Sequence, residues 1–200
     1  PTSIGAFTDP FNGGVSRGTL HGTATIVNNR LRLTDAVNNQ TGSWSFLPDE
    51  PMTAFQVNLS LFIGGGNGAD GFSFAYGPGV NGPFGGGGPV DGQGLTVSFD
   101  TYQNAGEVPT RPAIVVKYYG VELLGIPKPL RTGTYVPVTI NVSHEGMCTV
   151  VHDGTVTHRD VVLPFWSPDS SWHMGVGAAT GRLNALHIIA DIHSHRSAYR

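Results

Sequence analysis

The stretch AFQVNLSLFI, residues 54–63, decides the fold class. Phe55, Val57, Leu59 and Leu61 alternate with Gln56, Asn58 and Ser60. Successive side chains of a strand point to opposite faces, so this period of two makes one face apolar and the other polar. A helix needs apolar residues at i, i+3, i+4 and i+7, and no long segment of the chain shows that spacing. Working outward, strand signals recur upstream in TATIVNN (23–29), RLRLT (30–34) and SWSF (43–46). Downstream they recur in GFSFAY (71–76), LTVSFDTY (95–102), AIVVKYYG (113–120), VPVTINVSH (136–144), CTVVHDG (148–154), RDVVL (159–163), HMGVGAAT (173–180) and LHIIADIHSH (186–195). Turn chemistry separates most of them: VNNR, PDEP, VHDGT and SPDSS. HDGT (152–155) reads as an Asp-Gly hairpin. Many strands at short spacing predict an all-β fold, an antiparallel sandwich in which residues 1–200 form one domain.

Composition narrows the function classes. The 200 residues are 39% hydrophobic, which supports a core, but only 12% charged, about half the usual share. The formal net charge is −3 and no basic cluster occurs, which argues against a nucleic-acid partner. No apolar run approaches the length of a membrane span. The start, PTSIGAF, lacks the features of a signal peptide, so the chain reads as one domain of a larger protein. Cys148 has no second cysteine to pair with. Three sequons, at Asn39, Asn58 and Asn141, together with the low charge, point to an extracellular or secretory-pathway location.

One irregular stretch stands out. Residues 77–94 include GPGVNGPFGGGG, and a glycine-rich loop of that length has unshielded N–H groups that could cradle a ligand. Before the strand GFSFAY sits a lone acid, Asp70, between Ala69 and Gly71.

Three separated pieces then combine: Ala69-Asp70-Gly71, SFDTYQN (98–104) and GVGAATGRLNALH (175–187). In this order, on an all-β pattern, they resemble the L-type lectin family of leguminous lectins and secretory-pathway cargo lectins. LHGTATIVNNRLRLT followed by TGSWSF resembles the family's opening strands, and FDTYQN followed by RPAIVVKYYG is most similar to the cargo-lectin and bacterial branches. The resemblance implies a concanavalin A-like jelly roll with a sugar site on its concave side. Asp70 matches the family's sugar-binding aspartate, the glycines around Gly86 and Gly87 its backbone donor, and Gly181, Arg182 and Leu183 the loop that sets sugar choice. The family holds the peptide before that aspartate, here Ala69–Asp70, in the cis form. Asp100, Tyr102 and Asn104 match the calcium segment. Glu107 is the nearest further acid, off the family's position, and Pro109 stands close to where an acid is expected. Leguminous lectins carry a glutamate two residues before their aspartate for a transition metal. Here that position is Ser98, and no histidine lies between Gly68 and Val142.

The chemistry supports the same residues. A sugar presents adjacent hydroxyls and an apolar ring face. A carboxylate such as Asp70 accepts two hydroxyl hydrogens, and charged acceptors make the stronger bonds. The Asn104 amide and the glycine-loop N–H groups return donors, and Tyr102 can cover the ring. Calcium takes six to eight oxygens, and Asp100, the Tyr102 carbonyl and Asn104 can face one way from an extended segment. Expected, then, is a calcium-dependent module binding glycans or glycoproteins, with sheet edges through which two copies could pair. An adhesion sandwich without a sugar site is the alternative. A glucanase fits less well, since it needs paired carboxylates about 5–5.5 Å apart and SFDTYQN carries one acid. Asp191, His193 and His195 share a strand face but sit at the chain end, where a solvated edge is the commoner arrangement. His187 reads as structural.

Overall fold

A computed structural model describes residues 3–197, with side chains described from residue 7 onward. Fifteen strands follow in order: β1 (Ser3–Asp9), β2 (Thr19–Gly22), β3 (Thr25–Val27), β4 (Arg30–Thr34), β5 (Thr41–Phe46), β6 (Phe55–Gly64), β7 (Gly71–Gly77) and β8 (Leu95–Asp100). Then come β9 (Ala113–Tyr118), β10 (Val121–Pro127), β11 (Val136–Val142), β12 (Met147–His152), β13 (Thr155–Val162), β14 (His173–Ala179) and β15 (Leu186–Ser197). Among the described residues the only helical element is a three-residue 3-10 turn, Asn12–Gly14.

The strands form two antiparallel sheets. One has eight strands, in the order β13-β12-β11-β6-β15-β4-β3, with β1 also pairing β15. The other has seven, in the order β10-β9-β8-β7-β14-β5-β2. β15 holds β4 along its first half and β1 along its second, so one long strand serves two neighbours on the same side. The all-β sandwich read from the sequence is what the chain forms. The alternating β6 lies centrally in the eight-stranded sheet, with Phe55, Val57, Leu59, Leu61 and Ile63 buried. They meet Trp44, Phe72, Phe74, Tyr76, Val97 and Phe99 from the facing sheet in one core.

The hairpins follow local chemistry. Asp153 and Gly154 both have positive φ, as a two-residue type I′ turn requires, and they join β12 to β13. Asn28-Asn29 and Tyr119-Gly120 do the same for β3–β4 and β9–β10. Strands β1, β2 and β10 lack a legible period. β10 is an edge strand with mostly exposed residues and includes Gly125 and Pro127, so no buried face patterns it.

The seven-stranded sheet is buried on both sides at its centre. β7 is buried along its whole length. Its inward residues meet the core, and its outward Ala75 meets Val80 and Phe84 of the 78–94 loop. That loop lies flat because Gly177 leaves room for it: a Cβ there would sit 2.4 Å from the Phe84 carbonyl oxygen.

Candidate functional site

The glycine loop is fastened to the outer face of the seven-stranded sheet, one strand at a time. The Ser73 hydroxyl on β7 donates to the Gly85 carbonyl at 2.7 Å. Ser98 on β8 donates to Gly86 at 2.5 Å, and the Lys117 ammonium on β9 donates to Gly87 at 3.0 Å. In a trans peptide the C=O and the following N–H point in opposite directions. Carbonyls held down on the sheet therefore turn the Gly86 and Gly87 N–H groups away from it. Gly86 must lack a side chain, because a Cβ would lie 2.7 Å from the Gly71 carbonyl carbon.

Asp70 is placed by its backbone. Its N–H donates to Ala179 at the end of β14, and its carbonyl accepts from Thr101 just past β8. The Ala69–Asp70 peptide is cis. The carboxylate is half-buried, and among the described residues no donor reaches it. Burial, and then the negative charge of Asp100, push its pKa above the ordinary value. A Cβ placed on Gly181 would lie 3.3 Å from Asp70 Oδ2, so that loop backs onto the acid.

Asp70, Gly85, Gly86, Gly87, Asp100, Tyr102, Asn104 and Glu107 line one cavity of about 470 Å³. Residues separated by some 30 positions thus meet at one end of the sheet, where Gly71 pairs with Asp100 and Asp100 with Ala113. Tyr102, one of the lining residues, is 40% exposed. Arg182 is exposed, and none of the expected loop residues Gly181, Arg182 and Leu183 lines the cavity.

Sequence reasoning missed Arg111. Its side chain is 3% exposed and sits among acids. Nε donates to Asp100 Oδ2 at 3.0 Å, Nη1 to the Pro109 carbonyl at 2.8 Å, and Nη2 lies 3.3 Å from Glu107 Oε2 and 3.4 Å from Glu122 Oε1. Burial alone would lower its pKa, but the Asp100 bond and the charges of Asp100, Glu107 and Glu122 hold it above the ordinary value. Asp100 is raised by burial, against the opposing pull of Arg111 and the Tyr102 N–H. The available signal was an arginine beside proline shortly after an acidic segment in a chain with few charges.

The remaining sequence candidates lie elsewhere. His187 is fully buried, with Nδ1 2.7 Å from the Thr34 hydroxyl. His193 lies 3.5 Å from Asp191, and among the described residues no group of three or more His, Cys, Asp or Glu is arranged to hold a metal.

Comparison with known proteins gives three findings. A sequence model of the legume-like lectin family matches residues 12–120. No curated protein matches the chain in sequence. Solved structures share its fold. The exoplasmic/lumenal domain of VIP36, in a calcium- and mannose-bound form, superposes with a TM-score of 0.80 at 19% identity, covering 98% of this chain and 91% of that one. The winged bean acidic lectin complexed with methyl-α-D-galactose gives 0.77 at 24% identity, covering 98% and 99%. The winged bean basic lectin with Tn-antigen gives 0.78 at 20%, covering 97% and 98%.

Proposed function

The chain belongs to the legume-like lectin family, whose business is carbohydrate binding, and on that premise we propose that the Asp70 cavity is its glycan site. The observation that carries this reading is the Asp70 carboxylate: half-buried, without a donor among the described residues, and facing a cavity bordered by the Gly86 and Gly87 backbone. Such an acid has both oxygens available to adjacent sugar hydroxyls. The loop N–H groups and the Asn104 amide supply donors, and Tyr102 supplies an apolar face. Mannose- and galactose-type glycans are the ligands to try first, since structures of this fold carry them. The cavity does its work by binding, without a bond-breaking step. The chain acts in the secretory pathway or outside the cell, on glycans or glycoproteins. Among the described residues, no helix is long and apolar enough to cross a membrane.

The family likeness implies calcium, held here by Asp100, the Tyr102 carbonyl and Asn104, with Glu107 the nearest further acid. These side chains do not fit a divalent ion as they stand. Three of the four oxygens of the two acids already accept a hydrogen bond, and the fourth faces a cation. Asp100 Oδ1 accepts from the Tyr102 N–H at 3.1 Å, and Oδ2 from Arg111. Glu107 Oε1 accepts from the Asn104 N–H at 2.7 Å, and Oε2 faces Arg111. Each of these oxygens keeps at most one lone pair for an ion that needs six to eight oxygens. Such an ion would also sit close to a permanent positive charge, at a cost of about 4 kcal/mol per unit charge at 4 Å in a partly screened site.

A glycan array followed by calorimetry on the best hit tests the reading. Saturable binding of a mannose- or galactose-type glycan is expected. No binding across the array would remove the lectin assignment for this cavity.

A further inference from the structure

Arg111 touches both Asp100, which the family likeness assigns to calcium, and Glu107, the nearest further acid. We propose that its guanidinium is the resident cation of this site, standing where the metal would, so that the chain folds and binds glycan without calcium. The glycan clause rests on the lectin reading above; the cation clause stands on the geometry alone.

Three features support the assignment. First, the guanidinium is enclosed, and all three of its nitrogens have acceptors: Nε on Asp100, Nη1 on the Pro109 carbonyl, Nη2 between Glu107 and Glu122. A planar fork with a charge it cannot lose is suited to bridging carboxylates. Second, the surrounding loop is built around this residue. The Arg111 N–H donates to Gln103 Oε1 at 2.6 Å, and Gln103 Nε2 donates to the carbonyls of Asn104 and Glu107. The segment that carries Tyr102 and Asn104 is thereby closed from inside, which is the job a bound ion would otherwise do. Third, the clamp reaches Asp70. Asp100 stands in register with Gly71, and the next residue, Thr101, donates its N–H to the Asp70 carbonyl at 3.2 Å. Arg111 is therefore a positioning residue: it fixes the end of β8 against which the sugar-binding acid is set. Glu122 is half-exposed and its charge is screened by water, so Asp100 and Glu107 are the acids Arg111 mainly serves.

The test uses the wild-type chain in millimolar chelator and in millimolar calcium chloride. Thermal unfolding midpoints are expected to agree within about 1 °C. A resident calcium site at a hundred times its Kd would instead raise the midpoint by about 5–10 °C. Calorimetry with mannose and methyl-α-D-galactose is expected to give the same affinity in both buffers. A calcium-dependent midpoint, or glycan binding lost in chelator and restored by calcium, overturns the proposal. If neither sugar binds in either buffer, the lectin reading is in question, and the midpoints still decide the cation clause. In the second arm, R111Q leaves the acids without their cation. Its midpoint is expected to fall and to become responsive to calcium. A folded R111Q that is as stable as wild type, or indifferent to calcium, counts against the proposal. If R111Q does not fold, the wild-type comparison decides.

Discussion

Asp70 and Asp100 lie at the same end of the seven-stranded sheet, and both are raised in pKa chiefly by burial. Their partners differ. Asp100 accepts from the Tyr102 N–H and from a buried arginine. Asp70 accepts from nothing in the protein among the described residues. A half-buried carboxylate with its donors in place belongs to the architecture, whereas one held in position without donors is kept for something that arrives. Burial alone would not have separated the two.

Paired substitutions put that difference at risk most directly. Asp70→Asn keeps the shape and removes the charged acceptor. Two charge-assisted bonds to hydroxyls are worth about 3 kcal/mol or more together, so glycan affinity should fall on the order of a hundredfold. Stability should hold or rise, because an unpaired, partly buried charge is gone; calorimetry and urea unfolding read the two effects. Asp100→Asn should behave the other way, losing about 2–3 kcal/mol of stability as Arg111 is left facing one acid fewer. If Asp70→Asn unfolds the chain, or Asp100→Asn leaves stability untouched, the distinction collapses.

Acid should also separate the site from the eight-stranded sheet. Buried His187 titrates at about 3 in the folded chain, against about 6.5 for an exposed histidine. Between those values the unfolded chain holds a proton that the folded chain excludes. Stability should therefore fall as pH drops below 6.5, approaching ~1.4 kcal/mol per pH unit, and level off near 3. His152, lowered to about 4 by burial and by Lys128, acts in the same direction. Asp70 and Asp100 work in the opposite sense, since the folded chain takes up their protons before the unfolded one does. Glycan binding should weaken on acidification sooner than an ordinary aspartate would allow, as Asp70 loses its charge. Unfolding curves and calorimetry over a pH series would show it; stability that rises between pH 6 and 4 would mean that the two aspartates outweigh the buried histidines.

Most of the fold was legible because the central strands are buried, on one face in β6 and on both in β7, and so are rich in apolar residues. The alternation of β6 gave its facing directly, and Asp153-Gly154 gave a hairpin. The edge strand β10 was not legible, since exposed residues need no period. The candidate site was legible in so far as Asp70, Tyr102, Asn104 and the loop glycines, picked from separate segments, all line one cavity. The fastening of that loop by Ser73, Ser98 and Lys117 was not, because serines at alternate strand positions look like any outward face. Arg111 was hidden for a related reason. An arginine in a loop is ordinarily solvated, and only the folding of residues 100–111 onto it brings the acids around it.

The smallest expected effect bears on the far side of Asp70. Gly181 backs onto that acid, yet the next residue, Arg182, is exposed and does not line the cavity. A long cation in a sugar-choice loop could in principle reach over a ligand and pair with an acidic sugar. The loop is held by other groups: the Gly181 N–H donates to the Leu183 carbonyl, the Gly181 carbonyl accepts from the Asn39 N–H, the Thr180 hydroxyl donates to the Val37 carbonyl, and the Asn184 amide donates to Asn38 Oδ1. Its shape therefore does not depend on the arginine side chain. Arg182→Ala should change affinity for neutral glycans by less than about twofold, within the few tenths of a kcal/mol usual for surface positions. The same holds for a sialylated glycan if the side chain lies in solvent. A loss of fivefold or more, confined to the acidic glycan, would extend the site past Asp70 to Arg182 and make this loop a reader of sugar charge.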